Sequence, residues 1–274
     1  MQTLSSGRIS LATLGLIGIL TTASVADPFK PSFKQQLDLG RRAAADIRKE
    51  EKLAAPNDPR LLLMREVAAK IVAGIPADEL KKKPYEFSFD LIESPQINAF
   101  ALPGGPIFFY TGLVDRMQTV DELAGVIAHE ITHVREEHWA NAYASRQKEG
   151  LGLTILLTIL RANRTVVDLT SVGYEVARSL PYSRRDETRA DRGGFDLMVR
   201  AGYHPSGLVK TFEMFAQASK GAPPEFLKTH PDDKNRIRNI RKWIEEAEKK
   251  GQKWPAVRPM PEAVQKARTL KNKE

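Results

Sequence analysis

The sequence predicts an α+β fold in which helices predominate. Three short runs with strand character lie together in the first half of the chain, over residues 85–92, 97–102 and 107–110. Apolar residues with helical spacing precede them and resume after Tyr110, continuing almost to the end. No segment repeats another. A small sheet followed by many helices is the order of the α+β class, not of alternating α/β folds. The 274 residues are 42% hydrophobic and 28% charged, which excludes a disordered chain and allows a substantial core.

Each element has a local reason. Residues 1–26 read as an export signal, with Arg8 as their one charge and an apolar run over 11–20. Ser24-Val25-Ala26 then places small residues ahead of a cleavage point at Asp27. The run is too short for a membrane span, which needs about 20 residues, so removal is expected instead of anchoring. A catalytic domain is expected over 27–250 and a basic, proline-containing extension over 251–274. Helices are predicted over 33–55 and 60–73, divided by the breaker run Pro56-Asn57-Asp58-Pro59. Residues 85–92 alternate and are rich in aromatics; the two following strands are joined by Pro103-Gly104-Gly105-Pro106. A helix then begins at Thr119, which has capping-box spacing with Glu122. Leu123, Ile127, Ile131 and Val134 give that helix an apolar stripe. Residues 151–160 form a second apolar run, also too short to span a bilayer, and predict a buried helix or a lid. His204-Pro205 opens a later helix, with proline at its first position and His204 in a capping role. Residues 254–261 hold three prolines and predict a loose extension, with a short helix after Glu262.

Charge and cysteine content narrow the function. Residues 27–227 carry 27 basic and 27 acidic side chains, whereas the last 47 residues carry 14 basic and 7 acidic. A neutral body with a basic tail does not describe a dedicated nucleic-acid binder, which shows its basic face on the fold itself. With no cysteine, the chain has no disulfide scaffold, thiolate metal site, cysteine nucleophile or lipid-modified N-terminal cysteine.

The chemistry is carried by His129-Glu130-Ile131-Thr132-His133, an HExxH sequence on the helix that begins at Thr119. His129 and His133, four residues apart, stand one above the other on a helix face, and two imidazoles so placed can bind one zinc ion. Glu130 lies beside them, within reach of a water at the metal. A zinc hydrolase needs a third protein ligand. His138, five residues beyond His133, points well away from the ligand face and is expected at the surface. The extended pattern HExxHxxGxxH is excluded, because Glu136 and Trp139 stand where glycine and histidine are required. Glu187, in Glu187-Thr188-Arg189-Ala190-Asp191 on a later helix, is the best available third ligand. Asp191, one turn on, can hydrogen-bond the outer nitrogen of a ligand histidine. Gly193 and Gly194 permit close helix packing beside it.

Three motifs in this order, HEITH (129–133), SRRDETRADRGG (183–194) and THP (229–231), resemble the zinc peptidase family of HtpX and the CAAX prenyl endopeptidase. NAFALPGG (98–105) and AGYHP (201–205) are similar to that family as well, and the likeness covers roughly residues 60–245. It implies a zincin-like fold with a small sheet whose edge strand faces the active-site cleft. It also implies one zinc ion per chain at His129, His133 and Glu187, and Glu130 as the catalytic base. His230 matches the family's element near the metal; it can donate to the oxyanion, close the fourth zinc position in a latent state, or merely cap a helix. Arg184, Arg185 and Tyr182 are further candidate oxyanion donors. Unlike the family's membrane-embedded members, the chain is expected to have no transmembrane helix after processing, and unlike others it is expected to have no long helical-repeat extension.

These features together predict a zinc endopeptidase of the bacterial periplasm acting on misfolded or unassembled envelope proteins. A substrate is expected to lie extended along a sheet edge, at Asn98, Ala99 and Phe100. Association with the membrane surface or the outer-membrane assembly machinery is a further expectation, and nucleic acid is not expected as a partner. The rival readings are a latent or chaperone-like assembly factor, a zinc hydrolase of non-peptide amides, and a polyanion binder driven by the basic tail.

Overall fold

The computed structural model describes residues 27–148, 182–219, 223–231 and 235–271. The expected export signal over 1–26 and the apolar run over 151–160 lie outside the described residues. Among the described residues, no helix is long and apolar enough to cross a membrane.

Ser32 opens α1 (Phe33–Glu50) with a reciprocal cap: its hydroxyl accepts from the Gln35 N–H, and the Gln35 side chain accepts from the Ser32 N–H. The helix ends before the expected residue 55 because the chain turns extended and covers a sheet edge. Leu53 pairs antiparallel with Ile92, and the Ala54 N–H donates to the Leu91 carbonyl at 2.8 Å. Asp58 caps α2 (Pro59–Ala73), and the short α3 (Ala77–Lys82) follows.

Among the described residues the sheet has three strands, β1 (Ser88–Ile92), β2 (Ala99–Ala101) and β3 (Pro106–Tyr110), in the order β1-β3-β2. β1 runs parallel to β3, and β2 antiparallel to it with Phe100 opposite Phe108. β1 is shorter than the run 85–92 because its partner β3 begins at Pro106, opposite Ser88. Side chains alternate between two cores, as the pleat requires. Leu91, Ala99, Ala101, Ile107 and Phe109 face the larger core with α2. Ile92, Phe100, Phe108 and Tyr110 face a smaller one, closed by Ala43, Ala44 and Ile47 of α1 and by Trp139 and Tyr143.

After α4 (Thr111–Val114), α5 (Val120–Arg135) runs through the middle of the molecule. Its Thr119 hydroxyl accepts from the Glu122 N–H at 3.2 Å and donates to Glu122 Oε1 at 3.0 Å, so Glu122 reaches back to the cap as expected, while its Oε2 accepts from the Gln118 N–H at 3.0 Å. The expected apolar stripe is only part of its buried surface, for every residue from Val120 to Val134 is buried. α5 packs against α2, β2, α7 (Arg184–Arg200) and α8 (Ser206–Ala218). The remaining helices among the described residues are α6 (His138–Lys148), α9 (Phe226–Thr229), α10 (Asn235–Lys249) and α11 (Glu262–Lys271).

Two expectations change in detail. α8 begins at Ser206, with Pro205 at the cap; the His204 side chain accepts from the Ser206 N–H, and its own N–H donates to buried Asp121 at 2.7 Å. Residues 254–261 are docked, not loose. Thr119 bridges to Pro259, the Val120 N–H donates to the Arg258 carbonyl, and Met260 and Val264 are buried in the main core. A proline-rich segment keeps an extended shape without a full ladder, and here that shape fits beside the start of α5.

Candidate metal centre

His129 and His133 project from α5, and Glu187 and Asp191 from α7, each pair one helical turn apart. Ser183 and Asp186 cap α7 reciprocally, which sets Glu187 in its first turn, where the helix dipole favours a carboxylate. The two helices meet closely at Gly194. A Cβ built there would stand 3.2 Å from the backbone nitrogen of His129. His230 is the C-terminal cap of α9, and its N–H donates to the Phe226 carbonyl at 2.9 Å. Its ring stacks on Phe226 at 4.1 Å between centroids.

These elements bring His129, His133, Glu187 and His230 together, all buried, with one donor atom of each within 4.8 Å of the others. His129 Nε2 lies 3.0 Å from His133 Nε2 and 3.5 Å from Glu187 Oε2; His133 Nε2 lies 3.4 Å from Glu187 Oε1. Tetrahedral ligands at zinc bond lengths of about 2.0–2.1 Å stand about 3.3 Å apart, so this set fits zinc. Nitrogen and oxygen donors without thiolate suit the same metal. His230 Nδ1 occupies a fourth corner, 3.3 Å from His129 Nε2 and 3.1 Å from Glu187 Oε1. His230 Nε2 faces Glu130 Oε1 at 3.5 Å.

Glu130 is fully buried, and neither of its carboxylate oxygens accepts a hydrogen bond from the described residues. Burial raises its pKa, against the opposing pull of His230 and His129. Burial also holds His133 well below its ordinary value, in the neutral form that a metal ligand requires. At His129 burial acts downward too, but the Asp191 and Glu187 carboxylates outweigh it and raise the pKa to about 9. Asp191 Oδ1 lies 3.1 Å from His129 Nδ1, the outer nitrogen. For Glu187, burial acts upward and is overcome by His230 and Arg236, so the carboxyl stays well below its usual range.

Other expected residues fall in different places. Tyr182 is buried and stacks on His133 at 3.9 Å, whereas Arg184 and Arg185 are exposed on the first turn of α7. β2 is an outer strand, packed against α5. Asn98 and Phe100 direct their peptide groups inward, since the Asn98 carbonyl accepts from Tyr110 and Phe100 pairs with Phe108. Strand alternation turns the peptide groups of Ala99 and Ala101 away from β3. The Phe100 ring is buried against Phe108, so this residue offers no side chain at the edge. A narrow pocket joins Ala101 and Leu102 to His133 and Tyr182.

Two residues of the centre escaped the sequence. Arg236, on α10, is buried and pairs with both acidic residues, its NH1 at 2.7 Å from Glu187 and its NH2 at 2.6 Å from Asp191. Its one signal in the sequence is its place a helical turn before Ile240, which is wholly buried. His138, expected at the surface, is also wholly buried, with Nδ1 at 2.9 Å from His133 Nδ1. α5 does not continue past it: Glu137 takes a left-handed conformation, φ 51°, and the chain doubles back.

A profile described as Peptidase family M48 matches residues 63–244. The mitochondrial metalloendopeptidase OMA1 of Schizosaccharomyces pombe is 30% identical over 223 residues, covering 78% of this chain and 64% of that protein. The beta-barrel assembly-enhancing protease of Escherichia coli K12 is 28% identical over 251 residues, covering 82% of this chain and 50% of that protein. The protein of the same description from Yersinia pestis is 31% identical over 164 residues, covering 57% and 34%. The chain thus spans less than two thirds of the length of each of these relatives.

Proposed function

The chain belongs to peptidase family M48, and on that premise we propose that it is a zinc endopeptidase acting on misfolded or unassembled proteins of the bacterial envelope. The observation that carries this reading is the buried convergence of His129, His133 and Glu187, with the Glu130 carboxylate, which accepts no hydrogen bond from the described residues, beside it. His129, His133 and Glu187 would hold the zinc ion, which would supply Lewis-acid chemistry at the scissile carbonyl and at water. Glu130 is the general base: it takes the proton of the attacking water and returns it to the leaving amine. Asp191 holds the outer nitrogen of His129. His230 donates to the developing oxyanion once its ring has turned out of the ligand set, where its Nδ1 now stands.

The substrate lies extended beside β2, pairing with the outward peptide groups of Ala99 and Ala101 once that buried edge has been uncovered, with Asn98 and Phe100 holding the strand in place. Such pairing recognises main chain more than side chains, which suits unfolded clients. The export signal read over residues 1–26 and the beta-barrel assembly-enhancing relatives support a periplasmic location and contact with outer-membrane assembly machinery. The relatives are all described as proteases or endopeptidases, so a chaperone-like role without cleavage is not favoured.

The test is casein cleavage by zinc-loaded protein beginning at Asp27, with Glu130→Gln in parallel and zinc content measured in both. The expected result is cleavage by the parent and a loss of about 100-fold or more in the variant, with zinc retained. Turnover that survives in Glu130→Gln removes it as the base, and a zinc-loaded parent that cleaves nothing overturns the endopeptidase assignment.

A further inference from the structure

We propose that His138 is a positioning residue for the metal ligand His133, accepting the proton on its outer nitrogen and so fixing its tautomer and the aim of its ring. The inference rests on the zinc reading above. His133 presents Nε2 to the ligand cluster, 3.0 Å from His129 Nε2 and 3.4 Å from Glu187 Oε1. Its other nitrogen, Nδ1, lies 2.9 Å from His138 Nδ1, and the two rings meet edge-on at 76°. Two ring nitrogens at that distance share one proton, so one donates and the other accepts. A ligand Nε2 must offer its lone pair to the metal, which leaves the proton of neutral His133 on Nδ1. His138 Nδ1 is then the acceptor, and its own proton sits on Nε2, which is buried, lies 3.8 Å from Asp186 Oδ1 and makes no hydrogen bond to the described residues. His138 is not itself a ligand, because its Nδ1 lies on the far side of His133 from the cluster.

The two ligand histidines thus have different outer partners: a carboxylate, Asp191, for His129 and a neutral imidazole for His133. A carboxylate strengthens a ligand by charge, whereas an imidazole does so mainly by orientation. The fold builds this second contact deliberately. Glu137 takes a left-handed conformation that a non-glycine residue adopts only when its surroundings hold it there. They do so through Gln36 at 2.9 Å, Lys30 at 2.8 Å and an ion pair with Lys83. That turn starts α6 at His138 and folds it back beneath His133.

The test uses the full mature chain with His138→Leu, which removes the acceptor, and His138→Asn, whose amide oxygen can stand in for Nδ1. Zinc affinity is read by competition with a chelator, and folding of the metal-free proteins by thermal unfolding. The leucine variant is expected to bind zinc roughly 10–100-fold more weakly, and the asparagine variant to recover most of that loss. Zinc binding by a folded His138→Leu protein at parental strength overturns the proposal, as does an asparagine variant no better than leucine. A parent that binds no zinc overturns the metal reading itself, and this inference with it. Long-range nitrogen–proton NMR of the zinc-loaded parent decides independently of any variant. The expected spectrum has His133 protonated on Nδ1 and His138 on Nε2; a proton on His138 Nδ1 refutes the assignment.

Discussion

Arg236 binds the acidic half of the centre together. Its Nε and NH2 hold Asp191 at 2.7 and 2.6 Å, its NH1 holds Glu187 at 2.7 Å, and its guanidinium lies over the Phe212 ring at 4.0 Å. Replacing it with methionine leaves two buried carboxylates without that cation. Removing one partner of a buried ion pair costs about 3–5 kcal/mol, and a bound zinc ion supplies positive charge at the same place. Urea unfolding of metal-free Arg236→Met should therefore show a loss of that order, and zinc should narrow the gap to the parent. A gap of equal size with and without zinc would remove Arg236 from the metal centre. Nothing local marks this arginine out from Arg238 and Arg241 on the same helix, because only packing decides which of them turns inward. His129, Glu130 and His133 are different, since their relation follows from helical spacing alone.

At the level of elements, the decisive contact is between α5 and α7. Gly194 lets the α7 backbone approach His129, and a side chain there must push the two helices apart. Gly194→Val is expected to destabilise the protein by about 1–3 kcal/mol, as overpacking does. It should also weaken zinc binding by more than tenfold, because Glu187 moves away from His129 and His133 together. Calorimetric zinc titration checks this, and an unchanged affinity would show that the glycine serves packing only. The element boundaries follow the same logic. The sequence marks where α1 begins, through Ser32 and Gln35, but not where it ends, because Leu53 and Ala54 leave the helix to cover the distant edge of β1.

Across the whole molecule, Glu137 ties the N-terminal segment, α1 and the α3 region to the junction of α5 and α6. Burial acts to raise its carboxyl, but Lys30, Lys83 and Gln36 outweigh that and bring it from 4.5 down to about 2. A carboxylate lowered on folding contributes stability above its ordinary value, and that stability is lost as pH falls from about 5 towards 2. The urea midpoints of the parent and Glu137→Gln should therefore differ most near neutral pH and converge in acid. A difference independent of pH would show that the ion pairs contribute nothing. The helical α+β class and the HExxH helix with its cap were legible in the sequence because they depend on composition and on spacing within one element, whereas the candidacy of Glu187 and the family resemblance rest on motifs in order along the chain. Packing alone brings His138 and Arg236 to the candidate centre, sets His230 Nδ1 among its donor atoms and docks residues 254–261 beside α5. Each of those depends on where the chain reverses and which distant surfaces pack, and a backbone turn such as that at Glu137 is held by partners more than fifty residues away.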